Sequence, residues 1–206
     1  MEAVTRTPST RRPRPRPARR TLLAAGGAAL LLLAGCTGAG TETETTAAFL
    51  AAHDLAGMDA TQIVEHLEAL PLDEQPTELL ASVRPDELVL ADETQEITLP
   101  LDAGFHLSIA PYVQQTHDCF HHSLTTCRGE LADTEVTVKV TDDATGEVLV
   151  DEPMTTYENG FVAMWLPADV KGTVEITTAD GLRGTQQIST GEDGATCLTT
   201  LQLTEA

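Results

Sequence analysis

The chain has 206 residues, with four cysteines, six histidines and a formal net charge of −20. Charge changes sharply at Cys36: beyond it, five Lys plus Arg stand against 31 Asp plus Glu. A surface this acidic repels phosphate backbones and anionic lipid headgroups, which argues against nucleic-acid partners, and it attracts cations only diffusely.

The first 20 residues hold seven arginines and one acid, and residues 21–35 are an apolar run of Leu, Ala and Gly. That run is shorter than the roughly 20 residues needed to span a bilayer. A basic start, a short apolar middle and a small-residue end predict an export signal over residues 1–36. Its last residues, "LLAGC", resemble the lipobox of bacterial lipoproteins, which implies that Cys36 carries lipid and holds the chain on the extracytoplasmic face of the cell membrane. Arg19-Arg20 followed by "TLL" resembles a twin-arginine signal, and the general export route stays open beside it. Residues 37–46, "TGAGTETETT", cannot build a core and are expected as a flexible tether.

Residues 47–95 read as a helical N-terminal region. Phe49, Leu50, His53 and Leu55 precede Gly57, a stop signal. Asp59 is placed to cap a second helix with Ile63, Val64, Leu67 and Leu70 on one face. Pro71 and Pro76 interrupt the pattern, and "TELLASV" predicts one more short helix before Pro85. From Glu96 the period changes to two. "EITLPL", "FHLSIAPYV", "EVTVKV", "EVLV", "GTVEITT", "GTQQIST" and "CLTTLQL" alternate, with "TDDATGE" and "TADG" as turns. "FVAMWL" is apolar on both faces, as in a central strand with Trp165 in the core. The expected fold is α+β: a short helical region, then an antiparallel β-sandwich or barrel-like domain over residues 96–206.

Residues 117–127, "HDCFHHSLTTC", gather two cysteines and three histidines. With Cys36 lipidated, the folded part keeps Cys119, Cys127 and Cys197, and an odd count in an oxidising compartment leaves one thiol unpaired. A simple Cys119–Cys127 staple leaves the third thiol without a role. Thiolate with imidazole selects Cu(I) or zinc. Zinc asks for four closed ligands, and paired Cys-x-x-Cys spacing is absent. Copper fits better, because a dithiol can also give up two electrons and close to a disulfide. The short loop makes Cys119 and Cys127 the expected redox pair. His117 and His122 are the candidate nitrogen ligands. His121, His53 and His66 are expected on the surface, His106 at the surface or in a cross-strand pair, and Met154 and Met164 in the core.

"LSIAPYVQQTHDCFHHSLTTCRGEL" and "TCLTTLQL" resemble the CueP family of periplasmic copper-resistance proteins. The resemblance rests on His117, Cys119, His122, Ser123, Leu124, Thr125, Cys127, Gly129 and Glu130, with Cys197 in the late segment. His121 and Arg128 look like local departures, and the lipobox and tether depart from a soluble form. The resemblance implies copper binding by the three cysteines with nearby histidine, and reduction of Cu(II) to Cu(I). It also implies exchange with thiol-disulfide oxidoreductases, copper-receiving proteins as clients, and a homodimer formed through the N-terminal part. Reduction by the chain's own thiols is stoichiometric, which sets the chain apart from a turnover enzyme. The competing readings are a lipid-anchored thiol-disulfide exchange protein, which normally shows Cys-x-x-Cys, and a structural, zinc-binding β-sandwich.

Overall fold

The structure is a computed structural model and describes residues 38–205. The export signal and Cys36 lie outside the described residues. Helix α1 spans Gly38–Ala52 and α2 spans Ala60–Ala69. α1 begins inside the segment expected as a tether. Thr and Glu cost a helix only tenths of a kcal/mol each, so the turn anchored by buried Phe49 and Leu50 extends back through them. Asp59 caps α2 in a capping box: Asp59 Oδ1 accepts from the Gln62 N–H at 2.9 Å, and Gln62 Oε1 accepts from the Asp59 N–H at 3.0 Å. α2 buries Ala60, Ile63, Val64 and Leu67, and also Glu68. Each large aliphatic on that face contributes roughly 2 kcal/mol by leaving water.

Among the described residues eleven strands follow: β1 Leu80–Val83, β2 Glu87–Ala91, β3 Glu96–Pro100, β4 Phe105–Ile109, β5 His122–Ser123, β6 Glu135–Asp142, β7 Val148–Thr155, β8 Val162–Leu166, β9 Lys171–Thr178, β10 Arg183–Ser189 and β11 Cys197–Leu198. They form three sheets, ordered β3-β2-β1-β5, β10-β9-β6-β7 and β11-β4-β8. All pairings between these strands are antiparallel except β11 with β4, which is parallel with Cys197 opposite Ser108. The α+β expectation holds, with helices first and a sandwich after.

Two local expectations change. "TELLASV" supplies β1 rather than a helix, and β2 follows it, so residues 47–95 are not wholly helical. The segment is too short for a stable helix, whereas alternation buries Ala81 and Val83 and leaves Leu80 out. The central strand is β4, not the "FVAMWL" strand β8, which lies at a sheet edge. Phe105, Leu107 and Ile109 of β4 face the sandwich core, which holds Val136, Val138 and Val140 of β6 and Val174 and Ile176 of β9. β4 is buried at every position, so His106 and Ser108 are covered too. Trp165 is only half-buried, opposite His106, with its Nε1 donating to Glu65 Oε1 at 3.2 Å.

The helices pack with β1, β2 and β3 around a separate core that includes Phe49, Ile63, Val83, Leu90 and Leu124. Met164 is buried in the sandwich core and Met154 packs against it, as expected of fillers. Between Asp142 and Glu147 the "TDDATGE" run is a hairpin turn, with Asp142 Oδ1 accepting from the Ala144 and Thr145 N–H groups. Among the described residues no helix is long and apolar enough to cross a membrane.

Candidate metal centre

The stretch from Tyr112 to Glu130 leaves the sandwich and returns, and almost every turn of it is fastened. Glu130 Oε2 accepts from the backbone N–H groups of Val113, Gln114 and Gln115 at 2.7, 2.9 and 3.2 Å. Those donors, Gln114 foremost, hold its carboxyl below the usual carboxylate range. Thr199 Oγ1 donates to the His117 carbonyl at 2.6 Å, and Thr116 Oγ1 donates to the Thr199 carbonyl. The Cys197 N–H donates to the Phe120 carbonyl at 3.1 Å. The His122 N–H donates to Thr196 Oγ1 at 3.0 Å, and Thr196 Oγ1 donates to the Val83 carbonyl at 2.6 Å. The Leu124 N–H donates to the Ala81 carbonyl at 2.9 Å. The loop is therefore stitched to β1 on one side and β11 on the other. Arg128 closes it, donating to the Cys127 carbonyl and to Gln75 Oε1, both at 2.7 Å. Where Gly129 crosses Gly160, a Cβ on Gly160 (φ +83°) would sit 2.7 Å from the Gly129 Cα, so the crossing needs glycine.

These fastenings converge the sulfurs. Cys119, Cys127 and Cys197 pack with Ala110 and Phe161 in a small third core. Cys119 and Cys197 form a disulfide with a Cα–Cα separation of 5.6 Å. Cys127 is a free, half-buried thiol whose sulfur lies 3.5 Å from that of Cys119. The bond present thus joins Cys119 to Cys197, and not to Cys127 as loop closure suggested. The parallel pairing of β11 with β4 and the Cys197-to-Phe120 hydrogen bond bring the distant partner within disulfide reach.

His122 is fully buried beside the sulfurs. One ring nitrogen of His122 and the three Sγ atoms all lie within 4.8 Å of one another. Nε2 lies 3.1 Å from both oxygens of Glu68. Nδ1 is buried and makes no hydrogen bond of ordinary geometry, while Cys127 interacts with the ring both as a hydrogen-bonding group and as a charge. Burial opposes a charged ring, but Glu68 and Cys127 outweigh it and push the His122 pKa up to about 9. Burial likewise opposes the Cys127 thiolate, and His122 outweighs it, drawing the thiol below its ordinary range. Glu68, 1% exposed, is held ionised against its burial by His122 first, then by His106 and Asn159.

The other sequence-predicted residues separate cleanly. His117 is exposed, its ring 6.5 Å from that of Phe161, and it stands outside the four-residue cluster. His121 is exposed and packs edge-on to Phe120. His66 is exposed, and His53 is half-buried with Nε2 3.1 Å from Asp92 Oδ2. His106 is not a surface residue: it is buried, makes the cross-strand contact with Trp165, and has its pKa pushed down to about 4 by burial. The sequence reading missed Glu68. Its only signal was spacing, since Glu68 follows Val64 by one helical turn and so falls on the apolar face.

A cluster of three cysteine sulfurs and one histidine on an α+β scaffold defines a protein able to hold a soft metal ion. The comparisons with known proteins agree. The family model "Periplasmic copper-binding protein CueP" matches residues 62–202. A solved structure described as "Crystal Structure of S.CueP" is similar with 43% sequence identity and a TM-score of 0.73, covering 78% of this chain and 98% of that one. Among curated proteins, none matches. The chain belongs to the CueP family of periplasmic copper-binding proteins, which sets it outside the cytoplasm with copper ions as its partner.

Proposed function

We propose that the reduced chain binds Cu(I) on the thiolates of Cys119, Cys127 and Cys197 with His122 beside them, and that it reduces arriving Cu(II) with two of those thiols. The observation that carries this reading is the convergence of four soft donors within 4.8 Å. Thiolate donors select Cu(I) over harder ions. In the redox step Cys119 and Cys197 each give one electron to one Cu(II). A sulfur–sulfur bond forms, two Cu(I) result, and the two thiol protons go to solvent. Only Cys127 and His122 then remain as soft ligands, so Cu(I) made this way is released to a copper-receiving partner. An external dithiol, the chemistry of a thiol-disulfide oxidoreductase, must reopen the bond before the next round. The reaction is stoichiometric per reduction cycle.

The same reading carries the basic leader and "LLAGC": the chain is exported and held on the extracytoplasmic face by lipid on Cys36. A homodimer through the N-terminal part belongs to it as well.

A three-sulfur, one-nitrogen set also suits a structural zinc ion. Titration of the reduced soluble domain with Cu(I) and, separately, with zinc tells them apart. Copper function predicts one Cu(I) per chain and an affinity for zinc too weak to displace it. Tight zinc binding that excludes Cu(I) overturns the proposal in favour of a structural zinc site.

A further inference from the structure

We propose that Glu68 is a positioning residue for copper: it holds the Nε2 edge of His122 so that Nδ1 alone faces the three sulfurs. This inference rests on the copper reading above and names a residue that acts through another. Glu68 belongs to α2, 54 positions before His122 in the chain. It is 1% exposed and His122 is 0% exposed. A carboxylate buried this deeply costs several kcal/mol unless it is well paired. Its four contacts account for both oxygens: His122 Nε2 at 3.1 Å from each, Ser108 Oγ donating to Oε2 at 3.0 Å, and Asn159 Nδ2 donating to Oε1 at 3.3 Å. The donors come from β5, β4 and the turn before β8, so the carboxylate has one orientation.

The consequence is chemical. A ring whose Nε2–H is committed to a carboxylate gives up the other proton to a metal, so copper displaces the Nδ1 proton to solvent while Nε2–H stays on the carboxylate, and the paired carboxylate makes Nδ1 the stronger donor. Nδ1 is buried with no hydrogen bond of ordinary geometry, and the ring's neighbour besides Glu68 is the Cys127 sulfur group. Phe161 packs against the ring, with centroids 4.5 Å apart and the planes tilted by 50°. Rotation about the side chain would bury Nδ1 against the carboxylate and strand it from the sulfurs. Glu68 therefore fixes which nitrogen copper meets.

A role limited to fastening α2 to the sheet makes different predictions. Glu68→Gln keeps size and one acceptor oxygen, whereas Glu68→Ala removes both. Cu(I) affinity of the full reduced chain is measured by competition with a chromogenic chelator for wild type, Glu68→Gln, Glu68→Ala, His122→Ala and the Glu68→Gln/His122→Ala pair. Positioning predicts a loss of up to about tenfold in Glu68→Ala, no larger than that of His122→Ala, and a smaller loss in Glu68→Gln. It also predicts that Glu68→Gln adds nothing once His122 is gone. A long-range nitrogen–proton spectrum of Cu(I)-loaded wild type supplies a readout that needs no variant to fold. It should show His122 protonated at Nε2 and copper-shifted at Nδ1. Copper on Nε2, unchanged affinity in Glu68→Ala, or equal losses with and without His122 each overturn the positioning role. Failure of the wild-type chain to take up Cu(I) is a separate result, and it removes the copper reading and this proposal together.

Discussion

The Cys127 sulfur lies 3.5 Å from the Cys119 sulfur, yet Cys119 is bonded to Cys197, 78 positions away. The oxidised protein therefore keeps a free thiol in van der Waals contact with its own disulfide, beside a buried histidine. Air-oxidised protein, digested without reduction and mapped by mass spectrometry, should yield the Cys119–Cys197 crosslinked peptide and alkylatable Cys127. Cys127→Ser should keep that crosslink, and a dominant Cys119–Cys127 peptide from wild type would overturn the pairing.

The ligand ranking follows from burial and donor softness. His122 is inside the cluster and His117 is not. His117→Ala should leave Cu(I) affinity near wild type, and His122→Ala should weaken it about tenfold. Each single Cys→Ser change should weaken it more, because a thiolate is the better Cu(I) ligand. Chelator competition with each reduced variant checks the order, and a His117→Ala loss as large as that of any cysteine variant contradicts it.

Much of this was legible in the chain because it is local. The Cys and His of residues 117–127 sit side by side in sequence, and period-two alternation announces β6, β9 and β10 over seven or eight residues each. What the sequence hid is what tertiary structure decides. β1 has four residues, too few for a period to outweigh its helix-forming Leu and Ala. Glu68 on a helix reads as a solvent-facing charge until β4 covers it with Ser108. Loop-closure entropy favoured Cys127 as the disulfide partner, and the sheet supplied Cys197 instead.

The two buried histidines give opposite pH slopes. His106 has a folded pKa near 4 against an ordinary 6.5, so the unfolded chain binds the extra proton and stability rises with pH from about 4 to 6.5. His122 has a folded pKa near 9, so the folded chain keeps a proton that the unfolded chain loses, and its contribution to stability falls between about 6.5 and 9. The lowered thiol of Cys127 works the other way, because there the unfolded chain keeps the proton. Copper-free oxidised Cys127→Ser protein, which lacks that opposing thiol, should thus be most stable near pH 6.5. Denaturant unfolding across pH 4–10 in that background should show His122→Gln flattening the alkaline limb and His106→Gln reducing the acid limb by about one proton. A stability maximum above pH 8 in Cys127→Ser goes against this arrangement.

Export and anchoring concern residues beyond those the structure describes. Cys36→Ala should abolish lipid attachment and leave unprocessed precursor, read by mass spectrometry of membrane fractions. A wild-type mature chain that begins elsewhere and carries no lipid contradicts the anchor.

In the proposed function the thiols of this cluster are the electron source for Cu(II). The most direct measurement counts Cu(I) trapped by a chromogenic chelator against thiols lost, after excess Cu(II) is added to fully reduced protein without another reductant. About two Cu(I) should appear per disulfide formed, and the reaction should then stop, since one disulfide releases two electrons, with the bond mapped to Cys119 and Cys197. The Cys119→Ser/Cys197→Ser double variant, which cannot close a disulfide within one chain, should lose this burst. An undiminished Cu(I) yield in that variant, or Cu(I) formed with no thiol consumed, would contradict it.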